Sequence, residues 1–277
     1  MSPRAERGLK TALVLGVALA FRALWLASWP VGFSPDEAYG CRNAARFAVG
    51  SERLDPLALY EEGASQAVVG GHQPGLYYLL PVAAFRLLGY SPAVWRLTSV
   101  LPSLVTVLAL YPFGRRALGE RTAFLAALLL ATSRWSASEA RWGWHVTAAW
   151  GLLAPALVLF LRALRRDAPR TAAAAGLLGA LPASFYPSAV GFALVPVPAA
   201  LLARPFARRA LAGYLLGALA GSVPSLVMAV RQPDAFLARG RAASVFAEAS
   251  SDPVLFFVVG NLVHYAGLLF VKGDPLA

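Results

Sequence analysis

The sequence predicts an all-α polytopic membrane protein, and three features predict it. Of its 277 residues 58% are hydrophobic and only 14% charged, where soluble domains run about 45–50% apolar and about 25% charged. Several apolar stretches qualify for the roughly 17–25 residues that a bilayer-crossing helix needs. The basic residues sit in short loops between those stretches, which is how membrane proteins fix their orientation. The net charge of +11 and the pI of about 10.5 therefore belong to topology, and no nucleic-acid partner is expected. All basic residues except Lys10 and Lys272 are arginine, which suggests a GC-rich genome and so a bacterium. The single cysteine, Cys41, excludes an internal disulfide and any cysteine cluster for a metal.

At the N-terminus Arg4, Arg7 and Lys10 precede an apolar run to Trp29. The run is longer than a signal peptide's apolar region and lacks a small-residue cleavage site, so 9–29 reads as an uncleaved first span. Further spans are expected at 93–112, 122–136, 146–162, 172–185, 188–203 and 211–230. The apolar stretch 75–88 is too short: as a helix it measures about 21 Å, against a hydrocarbon core of about 30 Å.

Loop charge decides the orientation. If 75–88 does not cross, the cytoplasmic pieces 1–10, 113–121, 162–171 and 204–209 hold thirteen basic residues against Glu6, Glu120 and Asp167. The rest of the chain is nearly balanced. If 75–88 crossed, every later Arg-rich loop would fall outside, against the positive-inside rule. The N-terminus is therefore expected in the cytoplasm, and 75–88 in the outer interface. Residues 30–92 become a long first extracytoplasmic loop carrying interfacial helices. Residues 1–277 read as a single transmembrane domain. Its stop soon after the apolar stretch 254–271 leads us to expect truncation at the C-terminus.

The polar chemistry falls on the outer side. Ser34-Pro35-Asp36-Glu37 follows the first span. Proline suits the first helical position and acids suit a helix N-terminus. A helix is expected over 36–49, with Ala38, Cys41, Ala45 and Ala48 opposite Arg42 and Arg46. In isolation the two acids read as caps; at a membrane surface they also suit general base work.

The turn Gly70-Gly71-His72-Gln73-Pro74-Gly75 carries His72, which can donate to an anion or bind a metal. Arg22 and Arg96 stand near outer span ends. A charge inside a span costs about 2.5–3.5 kcal/mol, so each needs a partner, a cavity or a snorkelling path. The segment 134–145 gathers Arg134, Glu139, Arg141, a histidine and three tryptophans. Guanidinium forks match phosphate geometry, and tryptophan covers a sugar face or lipid tail. Tyr186, in the next outer turn, adds a wall.

These residues together resemble the GT-C membrane glycosyltransferases of the protein-mannosyltransferase and lipid A aminoarabinose-transferase type. The resemblance rests on Ser34-Pro35-Asp36-Glu37-Ala38-Tyr39, His72-Gln73-Pro74-Gly75-Leu76-Tyr77-Tyr78, Trp95-Arg96-Leu97, Leu101-Pro102-Ser103, Gly114-Arg115-Arg116-Ala117-Leu118-Gly119 and Ser138-Glu139-Ala140-Arg141. It covers roughly residues 20–200.

It implies a GT-C-like transmembrane helix bundle and an inverting transfer of sugar from a polyprenyl-phosphate donor, outside the cytoplasm, onto a glycan, lipid or protein acceptor. By motif position Asp36 is the expected base, with Glu37 beside it as a second catalytic residue. Arg96, His72, Arg134 and Arg141 are expected on the donor phosphate, and Glu139 and Tyr186 on substrate. No metal site is assignable, although Asp36 or Glu37 with His72 leaves a divalent cation open. The expected location is a bacterial inner membrane. Gln73 and Gly75 depart from the family's usual turn. The competing readings are a transporter or flippase of a lipid-linked substrate, and an inactive truncated paralogue. A transporter should show midplane charges and internal repeats, whereas here the charges lie at span ends.

Overall fold

The computed structural model describes residues 2–28, 30–32, 34–61, 72–117, 119–186, 189–202 and 208–236. Within these residues the regular elements are helices, apart from one antiparallel pair of short strands.

Helix α1, Pro3–Ala23, starts where Ser2 accepts a hydrogen bond from the Ala5 N–H and Pro3 occupies the first turn. Helix α2, Pro35–Ala48, repeats that device: Ser34 accepts from the Glu37 N–H, with Pro35 in the first turn. Strands β1, Leu59–Glu61, and β2, His72–Pro74, pair antiparallel, with Tyr60 opposite Gln73. Helix α3, Gly75–Leu88, begins immediately after β2 and occupies the 14 residues expected of an interfacial helix.

Then follow α4, Pro92–Ala117, α5, Glu120–Thr132, and the short α6, Arg134–Ala140. Helices α7, His145–Arg166, and α8, Pro169–Ala180, come next, α8 running into a 3₁₀ turn at Leu181–Ser184. The remaining helices are α9, Ala189–Leu194, α10, Pro196–Leu202, and α11, Arg208–Arg231.

Three of these helices are long and apolar enough to cross a membrane: α4 over Pro92–Pro112, α7 and α11. Seven spans were expected, and the differences have local causes. The stretch 122–136 breaks where Ser133 turns its hydroxyl back to the Ser136 N–H and starts α6. The stretch 172–185 shortens where Pro182 and the 3₁₀ turn end α8. The stretch 188–203 divides at Val195, just before Pro196, because the residue preceding a proline disfavours helical backbone. The apolar face of α11, with Leu216, Leu219 and Leu226, is exposed, as a lipid-facing surface is.

Three cores hold the elements together. Val14 and Ala18 of α1 meet Val100 and Val107 of α4 and Ala123, Ala127 and Ala131 of α5. Phe47 of α2, Tyr77, Tyr78 and Phe85 of α3 and Trp95 of α4 form a second, largely aromatic core. In the third, Phe160 of α7 packs on Ala172 and Ala175 of α8 and Tyr214 of α11.

Helices α8 and α11 approach closely because small residues line their contact. A Cβ added to Gly217 would lie 1.9 Å from the Ala173 carbonyl oxygen, and one on Gly213 would lie 2.2 Å from that of Pro169. Gly213, Gly217 and Gly221 repeat at four-residue spacing, the small-xxx-small pattern of membrane helix pairs.

The helix ends sort into two polar faces. At one, Lys10 lies 3.6 Å and Arg115 3.7 Å from Glu120, and the Asp167 carboxylate accepts from the Ala210 N–H at 2.9 Å. Asp167 has φ +44°, so Asp167→Ala removes the cap of α11 and leaves an alanine in left-handed backbone. It is expected to cost about 1–2 kcal/mol, read as a lower thermal midpoint in detergent. The other face carries the C-terminal end of α1, α2, the strand pair, α3, the N-terminal ends of α4 and α7, and the end of α11. There Arg231 reaches Asp55 at 3.2 Å and Gln232 accepts from the Leu59 N–H at 2.6 Å. The Arg-rich connections and the expected site residues thus lie at opposite ends of the bundle.

Candidate active site

The site end is built around helix termini. The C-terminal carbonyls of α1 and α5 carry the negative ends of their helix dipoles, and Arg141 and Arg22 meet them, while Arg96 holds the connection that follows α1. Arg22 is fully buried. It donates to the carbonyls of Ala131 at 2.7 Å and Leu130 at 3.1 Å, and to the hydroxyls of Ser103 at 2.8 Å and Ser136 at 2.7 Å. It does not snorkel; two hydroxyls and the frayed end of α5 solvate it from within. Arg141 donates to Phe21 O at 3.1 Å and Leu24 O at 2.6 Å, closing the end of α1. Arg96 donates to Leu26 O at 3.0 Å and Gly32 O at 2.6 Å, which fixes the chain between α1 and α2.

The same Arg96 guanidinium, 2% exposed, makes the central ion pair of this end. Its Nε donates to Glu37 Oε1 at 2.8 Å and its Nη2 to Oε2 at 3.4 Å. Glu37 is itself only 4% exposed. Burial pushes its carboxyl above the ordinary glutamate range, and the Arg96 hydrogen bond and charge oppose that push. Arg141 is depressed by burial and also feels the Arg96 charge, so the two guanidiniums share one neighbourhood.

Asp36 is the second residue of α2, one position before Glu37. Its backbone is fixed on one side by the Ser34 cap and on the other by the Glu37–Arg96 pair; its side chain lies outside the description. The His72 side chain lies outside it too, while the His72 backbone pairs with Glu61 in the strand pair. Arg134 opens α6 and is exposed. Glu139, near the end of α6, and Tyr186, after the 3₁₀ turn, are half-buried. The structure therefore brings Glu37, Arg96 and Arg141 together with the Asp36 backbone, and sets Arg134 and Glu139 on the adjoining short helix.

Aromatic side chains wall this end. The His145 ring, at the start of α7, lies 5.7 Å from that of Tyr77 and 5.9 Å from that of Tyr186. The Tyr77 hydroxyl donates to Gly143 O at 2.8 Å. Gly143 has φ +60°, and a Cβ there would lie 2.0 Å from Trp95 Nε1. Only glycine lets the α6–α7 turn close over Trp95.

Strand β2, which carries His72, is anchored by a buried polar relay. Asn43 donates to the Tyr78 hydroxyl at 3.2 Å, which in turn donates to the Gln73 side chain. Tyr78→Phe removes the hydroxyl that links the two buried amides and is expected to cost about 1–3 kcal/mol, measurable as a fall in thermal midpoint. Sequence reasoning counted His145 in the polar segment 134–145 and Ser103 in a motif without giving either a role, and it did not single out Asn43 or Ser136. Their only signal was polarity beside apolar runs, which many surface residues share.

Among the described residues no three His, Cys, Asp or Glu side chains gather in a way that would hold a metal ion. Both Glu37 oxygens are engaged by Arg96. A cavity of about 750 Å³ lies at this end too, but against the far end of α2, between Phe47, Leu54, Leu79 and Val82. Phe47 is eleven residues beyond Asp36, about 16 Å along the helix.

The sequence model of one family, described as dolichyl-phosphate-mannose-protein mannosyltransferase, matches residues 72–231. The match takes in strand β2, Arg96, the α6 segment and Tyr186, and begins after Asp36 and Glu37. Comparison with curated proteins and with solved structures finds no match. An all-α bundle with three helices fit to cross a membrane, and a family match over more than half its length, make this chain a member of the dolichyl-phosphate-mannose-protein mannosyltransferase family of glycosyltransferases.

Proposed function

We propose that the chain transfers a sugar from a polyprenyl-phosphate donor to an acceptor hydroxyl, with inversion, at the extracytoplasmic face of a bacterial inner membrane. The observation that carries the reading is the buried Arg96–Glu37 pair, which holds the first turn of α2 against the span ends. Asp36 sits on that turn as the base. Its carboxylate takes the proton from the acceptor hydroxyl, the hydroxyl oxygen forms its bond to the anomeric carbon, and the bond from that carbon to the phosphate oxygen breaks. The lipid phosphate leaves with its negative charge. Fixed cations placed where that charge develops lower the barrier. Arg134, Arg141 and His72 supply them at the surface, and Arg96 does so from the buried side, where it also positions the turn. Tyr186 and Glu139 contact substrate.

The test is transfer of labelled sugar from a polyprenyl-phosphate hexose by membranes containing the chain, with the anomer of the product determined. Transfer with inversion is expected, and Asp36→Asn should lower it about 10²–10⁴-fold. Product of retained configuration, or equal transfer by both proteins, would overturn the reading.

A further inference from the structure

The cavity at the far end of α2 has the make-up of a binding site, and the catalytic reading leaves it unused. Its volume of about 750 Å³ lies inside the roughly 300–1,000 Å³ of ligand pockets, which pair an apolar lining with a few polar groups. Phe47 of α2 and Val82 of α3 line it and are buried. Leu79, Ala83 and Leu87 line it as well; spaced four residues apart on α3, they form one stripe along the helix, and all three are exposed. On an interfacial helix such a stripe meets acyl chains.

Charge stands beside the stripe. Across residues 46–56 and 79–87 the ionised groups are Arg46, Arg53 and Arg86 against Glu52 and Asp55. Both acids are engaged: Glu52, which lines the cavity, lies 3.1 Å from Arg46, and Asp55 lies 3.2 Å from Arg231. Arg53 and Arg86 line the cavity and are exposed. Two carbonyls at the end of α2 fix Arg86, whose Nε donates to Ala48 O at 3.3 Å and whose Nη2 donates to Phe47 O at 3.2 Å. Guanidiniums match phosphate geometry, so the cavity suits a phosphate joined to a hydrocarbon chain.

We propose that this cavity binds an anionic phospholipid of the surrounding leaflet, with an acyl chain along Leu79, Ala83 and Leu87 and the phosphate on Arg53 and Arg86. A lipid held there bridges α2 and α3 and seats the pair at headgroup depth. The proposal is independent of the catalytic reading, because neither arginine belongs to the base or to the donor-phosphate set. Each basic residue near an anionic headgroup strengthens attachment roughly fivefold.

The test is native mass spectrometry of the full chain in detergent, titrated with phosphatidylglycerol or phosphatidylcholine. Wild type should retain phosphatidylglycerol in preference to phosphatidylcholine. The double variant Arg53→Gln/Arg86→Gln should hold it about 25-fold more weakly. A variant of equal charge loss at the opposite end of the bundle, Arg4→Gln/Arg7→Gln, should weaken it less than about fivefold. Arg53→Lys/Arg86→Lys keeps the charge and should stay within about fivefold of wild type, which separates binding from misfolding. Ala83→Trp fills the cavity without changing charge and should lower retention of both lipids. Equal losses in the two glutamine pairs, equal retention of the two lipids, or an Ala83→Trp protein that binds as wild type does would each overturn the proposal. So would displacement of phosphatidylglycerol by inorganic phosphate, or by polyprenyl phosphate at lower concentration.

Discussion

Glu37→Ala is expected to cost the fold about 3–5 kcal/mol, because it removes the carboxylate that the buried Arg96 guanidinium grips with two N–H groups. At about 2–4 °C per kcal/mol for a chain of this size, the thermal midpoint in detergent should fall by roughly 10 °C. The chemistry of Glu37 makes the series informative. Burial raises its carboxyl pKa, so the protonated acid is tolerated better than at an exposed glutamate. Glu37→Gln, which mimics that acid and still offers Arg96 an acceptor, should therefore be milder than Glu37→Ala. The paired replacement Glu37→Leu/Arg96→Met removes both charges and should lose less than Glu37→Ala alone. A Glu37→Ala protein that melts with wild type would show that the pair does not hold the turn.

The second large effect is steric. Gly217→Leu puts a Cβ 1.9 Å from the Ala173 carbonyl oxygen, a backbone atom that cannot swing aside. Helices α8 and α11 must then separate, and the core around Phe160 and Tyr214 opens with them. A loss of at least about 3 kcal/mol is expected, at or beyond the upper end of ordinary overpacking. Gly16→Ala gives the contrast. Nothing lies within 4 Å of a Cβ at this mid-helix position in α1, so the change should stabilise by about 0.5–1 kcal/mol. Thermal melts of the two variants should move in opposite directions; a Gly217→Leu protein as stable as wild type would mean that the helices do not pack this closely.

Much of the architecture could be read from hydropathy and loop charge. The helix at 75–88 appears with the expected bounds, because 14 apolar residues between a Pro-Gly turn and Gly89 have little other choice. The N-terminus of α2 was legible in Ser34-Pro35, which cap and start a helix wherever they occur. The buried face of α2 was not. Apolar spacing pointed to Ala38, Cys41, Ala45 and Ala48, whereas Ala38 is exposed and Glu37, Gly40, Cys41, Ala44 and Phe47 are buried. Glu37 belongs to that helical stripe because Arg96, 59 residues away in sequence, draws it inward. A charged residue in a buried stripe is invisible to a hydrophobic pattern.

Three of the expected spans, 122–136, 172–185 and 188–203, are broken as single helices for a related reason. Average hydropathy does not register a single Ser133, Pro182 or Pro196, yet each ends a helix. Within the site, residue types suggested cations near Asp36, but spacing could not show that Arg22 and Arg141 also close the carbonyl ends of α5 and α1. That role depends on which helix ends meet.

The base role of Asp36 is tested most directly by separating donor binding from turnover. Equilibrium binding of a polyprenyl-phosphate sugar and single-turnover transfer are measured on wild type and Asp36→Asn, with thermal melts of both. For Asp36→Asn an unchanged midpoint, donor affinity within a fewfold of wild type and a rate at least about 100-fold lower are expected. An Asp36→Asn protein that turns over at the wild-type rate, or one whose rate falls only in proportion to lost donor binding, would contradict it.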